Sequence, residues 1–316
     1  DSPLFLGMPG MHGAVCANYA LSEADLIIAT GVRFDDRVTG KLESFAREAK
    51  IIHIDIDPAE IGKNVAIDIP IVGDVKRVLQ GILKKVQPGD TGAWLKRIDE
   101  WREECFTCAE EQPENDVLTT PYVIREIDRL TAPDTIIATD VGQHQMWTAQ
   151  HYCFRLPRTF ISSGGLGTMG YGFPAALGAK LASPGSTVFC IAGDGSFQMN
   201  IQELATAVTH NIDVKVAIIN NGYLGMVRQW QELFYGGRYA YSSLQGNPDF
   251  VKVAEAYGAK GLRASTPGEL RKAIELALAT KGPVIIDCQV VAEENVYPMV
   301  APNRPINEII MGSERK

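Results

Sequence analysis

Short apolar runs of strand length alternate with stretches of helical spacing along most of the chain. In a first block, residues 24–30, 51–56 and 69–72 are predicted strands, with helices at 42–49 and 75–86. A doubly wound sheet covered on both faces has about five or six strands. The first block therefore reads as the second half of a domain whose first half is missing. Pro88 and Gly89, within 87–92, mark a boundary, and 94–112 reads as a charged connecting helix. The second block is complete. Pro121 opens a helix over 121–130, and strands are predicted at 135–139, 159–162, 187–192, 214–220, 259–263 and 284–290. Helices at 144–152, 169–181, 201–211, 224–234, 250–257 and 267–280 separate them. This alternation predicts an α/β fold, a doubly wound parallel six-stranded sheet preceded by a partial α/β domain. The expected division is 1–86, a linker at 87–115, a second domain at 116–295 and a tail at 296–316. Pro298, Pro302 and Pro305 give the tail little periodicity, so it is expected to wrap over the surface.

Composition narrows the class of partner. At 316 residues the chain has room for about two cored domains, and 46% hydrophobic with 22% charged residues is ordinary for a globular protein. A formal net charge of −8, with no run of Lys or Arg, argues against a nucleic-acid surface, so any phosphate binding must be local. No apolar stretch approaches the roughly 20 residues that span a bilayer, and Asp1-Ser2-Pro3 has no signal-peptide pattern. The expected setting is soluble and cytoplasmic. The six cysteines are scattered, Cys190 and Cys288 on predicted strands, which suits free thiols. Cys105 and Cys108 form a lone C-x-x-C without a second pair for zinc.

The richest chemistry lies in Ile191-Ala192-Gly193-Asp194-Gly195-Ser196-Phe197, answered by Ile218-Ile219-Asn220-Asn221-Gly222. Each follows a predicted strand, and Asp194 and Asn221 stand one strand-helix-strand unit apart. Ligands bind at the carboxyl ends of parallel strands. Magnesium takes one or two carboxylate or carbonyl oxygens plus phosphate oxygens and water, which suits one Asp and one Asn. The plainer alternative is two unrelated glycine turns. Asp140-Val141-Gly142-Gln143-His144 is another strand end turning into a helix, where unpaired backbone N–H groups suit an anion. His144 could equally be a cap.

The Gly-Asp-Gly and Asn-Asn pair resembles the thiamine diphosphate motif. Gly164-Gly165-Leu166-Gly167-Thr168-Met169-Gly170, Gly225-Met226-Val227-Arg228-Gln229-Trp230-Gln231 and Arg33-Phe34-Asp35-Asp36-Arg37-Val38-Thr39-Gly40 are similar to the catalytic subunit of acetohydroxyacid synthase, also called acetolactate synthase. The likeness runs over nearly the whole chain.

This resemblance implies a thiamine diphosphate-binding fold in the second block and a flavin-binding domain in the first. It implies that Val141, Gly142, Gln143, His144, Gly193, Gly195, Ser196 and Met226 contact thiamine diphosphate. The Gly167 carbonyl would accept from the aminopyrimidine, and Met169 would wedge between the two rings. Magnesium would be held by Asp194, Asn221 and the Tyr223 carbonyl. Arg37, Met226 and Trp230 would line a substrate channel, with Trp230 favouring a larger second 2-keto acid. For Arg37 the residue-level alternative is a surface salt bridge to Asp35 or Asp36. For Trp230 and Met169 it is core packing. Flavin adenine dinucleotide would contact Met11, His12, Gly31, Arg33, Arg37, Val38, Asp55, Ile56, Asp74 and Val75, with Gln145, Met146, Ser163 and Gly164 from the other domain.

The implied reaction decarboxylates pyruvate and joins the remainder to a second pyruvate or to 2-ketobutyrate, feeding branched-chain amino acid synthesis. The family's activating glutamate belongs to a separate pyrimidine-binding domain. No Glu here stands in that motif, and Glu203 belongs to a different helix. The chain is therefore expected to be a C-terminal portion with little activity alone. A homodimer or tetramer and a small regulatory subunit are the expected partners. Pyruvate oxidase and glyoxylate carboligase types remain rivals, as does a noncatalytic binding module.

Overall fold

The computed structural model describes residues 2–104 and 116–312. Two compact units are present, one formed by residues 2–104 together with those from Tyr297 on, the other by 116–296.

The first unit opens with α1 (Val15–Glu23), β1 (Leu26–Thr30), the single turn α2 (Asp36–Thr39), β2 (Lys50–Asp55), β3 (Ile69–Val72), α3 (Val75–Leu83) and α4 (Gly92–Glu104). The strands pair in parallel in the order β1-β2-β3. Period-two alternation is plain in β1. Ile27 and Ala29 are buried, whereas Leu26 and Ile28 remain about half exposed. Ile27, Phe34, Phe45 and Ile51 build the small core under the covered face. Trp94 and Trp101 of α4 stack edge to face and pack with Ala20 of α1.

Three expectations for this unit are corrected. Residues 42–49 do not form a helix beyond a turn of 3-10 helix at Leu42–Ser44. The chain instead drives Phe45 and Ala46 into the core, with Ala46 at φ +44° and the Phe45 ring against Phe34, 5.9 Å between centroids. Helix α1, which has no helical hydrophobic stripe, was not expected. It earns its place through Asn18, whose side chain accepts from Gly10 N (2.7 Å) and donates to Gly10 O (2.9 Å). The tail does not merely wrap the surface. Met299–Val300 pairs antiparallel with Ile309–Ile310, and Ile306 joins the small core. The pair Cys105 and Cys108 lies outside the described residues.

The second unit alternates strictly. Its elements are α5 (Thr120–Leu130), β4 (Ile136–Thr139), α6 (Gln143–His151), β5 (Phe160–Ser162), α7 (Gly172–Ala182), β6 (Val188–Gly193), the single turn α8 (Asp194–Phe197), α9 (Glu203–Thr209), β7 (Lys215–Asn220), α10 (Gly225–Phe234), α11 (Phe250–Tyr257), β8 (Lys260–Ala264), α12 (Pro267–Ala279) and β9 (Val284–Gln289). The six strands are all parallel, in the order β5-β4-β6-β7-β9-β8. Both faces are covered. Phe189 and Ile191 of β6 pack under α5, α6 and α12, while Val188, Cys190 and Ala192 pack under α7, α9 and α11. The predicted sheet is present in full. Most boundaries shift by a residue or two, and one shift matters for the site: α7 starts at Gly172, so Met169 stands in the turn before it and is not a helix-core residue. No helix among the described residues is long and apolar enough to cross a membrane.

Candidate functional site

In the second sheet, β5 and β6 lie on opposite sides of β4, so the order of strand addition reverses there and a crevice opens at the strands' carboxyl ends. Asp140 to Gly142 leave β4 at this rim, Gly193 and Asp194 end β6, and Asn221 follows β7. A pocket at the rim is lined by Val141, Gly142, Gln143, His144, Met169, Gly193, Asp194, Gly195, Ser196, Asn221, Tyr223 and Met226. It thus gathers most of the residues singled out in this block. Gly167 is not in the lining, although a methyl group there would come within 4.0 Å of Val141.

Asp194 is almost fully buried. Its Oδ1 accepts from Gly195 N (2.9 Å), and its Oδ2 accepts from Gly222 N (2.9 Å) and Asn247 Nδ2 (2.7 Å). Burial pushes its carboxyl up to about 6, against the downward pull of those hydrogen bonds. Asn221 Oδ1 accepts from Tyr223 N at 3.0 Å, and its amide faces Gln143 Oε1 at 3.5 Å. One carboxylate and one amide from adjacent strands therefore share a pocket with a free-standing turn. Among the described residues no group of three or more His, Cys, Asp or Glu is placed to hold a metal ion. Such a sparse oxygen set suits magnesium, which keeps water and phosphate ligands.

Glycines shape the opposite wall. The His144 ring is cradled by Gly142 and Gly193, where an added methyl would approach its Cε1 at 2.9 and 3.0 Å. Gly142 can adopt φ +152° for this turn because it has no side chain. The His144 ring is buried, and its Nε2 has no hydrogen-bond partner among the described residues. Burial lowers its pKa to about 4, with Asp140 opposing, so it is neutral at pH 7. An orphaned ring nitrogen beside the unpaired N–H groups of the α6 start fits an anionic group such as a diphosphate.

The Gln143 side chain is held within the protein. Its amide donates to Gln229 Oε1 (2.9 Å) and Glu294 O (3.0 Å), so both hydrogens are already taken, and only its backbone can serve an anion. The Ser196 hydroxyl likewise donates to Gly193 O and accepts from Gly193 N within its own turn.

Several residues at the site had not been assigned a role of their own. Asp140, fully buried, accepts from Val141 N (2.8 Å), Gly170 N (2.8 Å) and Gly172 N (3.1 Å). It thereby fixes the turn carrying Gln143 and His144 to the turn carrying Met169. Its only sequence signal was an acid at a strand end. Gly225 and Trp147 also line the pocket. A methyl on Gly225 would collide with Gln143 Oε1. Met226 lies in the first turn of α10, which faces the pocket, and Trp230 lies one turn on, edge to face with Phe234 at 5.5 Å.

The remaining candidates fall in two places. In the first unit, Gly31 and Ile56 directly follow β1 and β2, Asp74 stands two positions past the end of β3 and caps α3 through Arg77 N (3.0 Å), and Val75 opens that helix. Asp55 ends β2 and accepts from Asp57 N. Arg37 pairs with Asp36 and Arg33 with Asp35, each at 3.2 Å on an exposed surface. Met11 is buried and donates its N–H to Arg37 O, His12 is buried beside it, and Val38 lies in α2. In the second unit, Gln145 Nε2 donates to Ser162 Oγ (2.7 Å), Ser163 and Gly164 follow β5, and Met146 packs on the core.

Residues 140–288 match the family described as thiamine pyrophosphate enzyme, C-terminal TPP binding domain. Residues 1–82 match the thiamine pyrophosphate enzyme central domain. The chain is 49% identical to the acetolactate synthase large subunit of Cyanidium caldarium, with 98% of this chain and 54% of that protein covered. It is 46% identical to the acetolactate synthase large subunit of Haemophilus influenzae, covering 99% of this chain and 55% of the relative. It is 48% identical to a probable acetolactate synthase large subunit of Methanocaldococcus jannaschii, covering 98% and 54%. The chain spans about half the length of the curated relatives it matches.

Proposed function

Because the chain belongs to the thiamine pyrophosphate enzymes, we propose that the pocket at the rim of β4, β6 and β7 holds thiamine diphosphate with a magnesium ion, in service of acetolactate synthesis. One juxtaposition carries this reading. Asp194 and Asn221 follow neighbouring parallel strands and line one pocket with the start of α6.

Bound there, thiamine diphosphate supplies the nucleophilic carbon and electron sink that decarboxylation of a 2-keto acid requires. The chain's own residues bind and orient. Asp194, Asn221 and the Tyr223 carbonyl take the magnesium ion. The backbone N–H groups at the start of α6 and the His144 ring receive the diphosphate. Gly167 offers a carbonyl to the aminopyrimidine, and Met169 supplies an adaptable apolar prop. Arg37 pairs with a keto-acid carboxylate, and Trp230 sets the room for the second substrate, pyruvate or 2-ketobutyrate. Flavin adenine dinucleotide is assigned to the carboxyl edge of β1, β2 and β3. The relatives' names support the acetolactate product.

The binding step is tested by calorimetric titration with thiamine diphosphate in magnesium and again in excess chelator. Saturable uptake that disappears with the chelator is expected. Equal uptake under both conditions sinks the metal assignment, and no uptake sinks the pocket. Product analysis with pyruvate, alone and with 2-ketobutyrate, then tests the reaction.

A further inference from the structure

Magnesium and calcium are told apart by how a carboxylate presents itself. Magnesium favours single-oxygen ligation at close range, whereas the larger calcium also accepts both oxygens of one carboxylate. Whatever holds Asp194 in one orientation therefore affects which ion it selects.

Asn247 does so through a direct bond. Its Nδ2 donates to Asp194 Oδ2 at 2.7 Å, and its own Oδ1 accepts from Gln198 Nε2 at 3.0 Å. Gln198 also donates to the Asp194 carbonyl at 3.0 Å, so the amide is held in one sense. With Gly222 N on the same oxygen, Oδ2 carries two strong donors, and Oδ1 accepts from the neighbouring Gly195 N. The oxygen with acceptor capacity to spare is Oδ1.

The segment that carries Asn247 is anchored to the rim at several points. Leu224 N donates to Ser242 O (2.7 Å) and Leu244 N to Gly222 O (2.8 Å), an antiparallel bridge against the turn that follows Asn221. Beyond Asn247, Asp249 caps α11 through Val251 N and Lys252 N and accepts from Arg263 at 2.6 Å. Asn247 is thus fixed from both sides.

Resting on the magnesium reading above, we infer that Asn247 is a positioning residue which restricts Asp194 to one-oxygen ligation and so sets the preference for magnesium over calcium. Asn247→Ala leaves Oδ2 with one donor and lets the carboxylate turn. Partners of metal ligands typically change metal affinity by about 10- to 100-fold when removed. A loss of about tenfold or more in magnesium affinity is expected, with a smaller loss for calcium.

The experiment titrates the chain with each cation in saturating thiamine diphosphate, using calorimetry, and compares the magnesium-to-calcium affinity ratio of the two proteins. A ratio that falls severalfold, with an unfolding midpoint still that of the parent, supports the inference. Equal losses for both ions, or no loss, overturn it, because a merely structural role weakens both alike. If Asn247→Ala does not fold, N247S is measured in its place and must show the same fall in ratio. A parent chain that takes up no magnesium with the cofactor overturns the earlier reading itself, a result visible before any variant is made.

Discussion

A single buried carboxylate can organise a turn only if the backbone around it has donors and no competing side chains. Asp140 meets that condition, since its three donors are all main-chain N–H groups, two from the glycines 170 and 172. Asp140→Ala leaves those three buried N–H donors without their acceptor, and a cost of about 3 kcal/mol is expected from the unsatisfied groups. Urea unfolding is the measurement, with Asp140→Asn, which keeps one carbonyl oxygen, falling between. Gly225 tests the opposite wall. Alanine is ordinarily the better helix residue, yet its methyl would collide with a Gln143 side chain that Gln229 and Glu294 hold in place. Gly225→Ala is expected to weaken thiamine diphosphate binding at least about tenfold, roughly one lost hydrogen bond's worth. Calorimetry at fixed magnesium checks it, and unchanged affinity would mean that Gln143 can move freely. At this scale the sequence announced Asp194 and Asn221, because each follows an apolar strand and stands beside a turn glycine. Asn247 was silent. In Gly246-Asn247-Pro248-Asp249 it reads as turn chemistry, and its partner Asp194 lies 53 positions away.

Helices and strands were legible in proportion to how completely they are buried on a regular face. The strand β6 and the interior of β7 from Val216 to Ile219 run as unbroken apolar stretches because both faces of the sheet are covered. The span 42–49 failed because its apolar residues enter the core from irregular backbone, and α1 failed because its buried residues include Asn18, which bonds a loop. A different pattern links α5 to α12. Glu126, buried on α5, bonds Arg129 at 2.7 and 2.8 Å and reaches Arg271 of α12 at 2.9 Å. The hydrogen bonds from Arg129, with those from Arg271, hold its carboxyl below the usual 4.5 despite burial. A carboxyl lowered in the folded state contributes stability that is present above pH 4.5 and is lost as pH falls through the folded value. The arginines are half exposed, so Glu126→Ala is expected to cost only about 1 kcal/mol at pH 7. Against the parent, that difference should shrink below pH 4.5. A difference in unfolding free energy that stays constant down to pH 3 would remove the ion pair as the link between these helices.

The two units should answer mild acid through different histidines. His12 in the first unit is pushed down to about 4, by burial first and by Arg37 second, and His151 in the second unit is pushed to about 4 by burial and by Arg125. The unfolded chain takes up these protons near pH 6.5, whereas the folded units resist until about pH 4. More protons bind to the unfolded state across that window, so stability is full above pH 6.5 and is lost as pH falls towards 4. Each histidine can remove up to about 3 kcal/mol by the lower limit. The window lies mostly above the one in which Glu126 acts, so the two contributions separate along the pH axis. They also separate in space, since the chain's four tryptophans divide evenly. Trp94 and Trp101 belong to the first unit, and Trp147 and Trp230 to the second. With Trp147 and Trp230 replaced by phenylalanine, fluorescence reports the first unit, where His12→Asn should flatten the loss of stability between pH 6.5 and 5 and His151→Asn should not. With the reciprocal tryptophan pair, His151→Asn should reduce the second unit's loss, the remainder belonging to His144, which burial also lowers to about 4, and His12→Asn should leave it unchanged. If either histidine variant flattens both transitions equally, the two units do not unfold independently, and acid sensitivity belongs to the whole molecule rather than to either core.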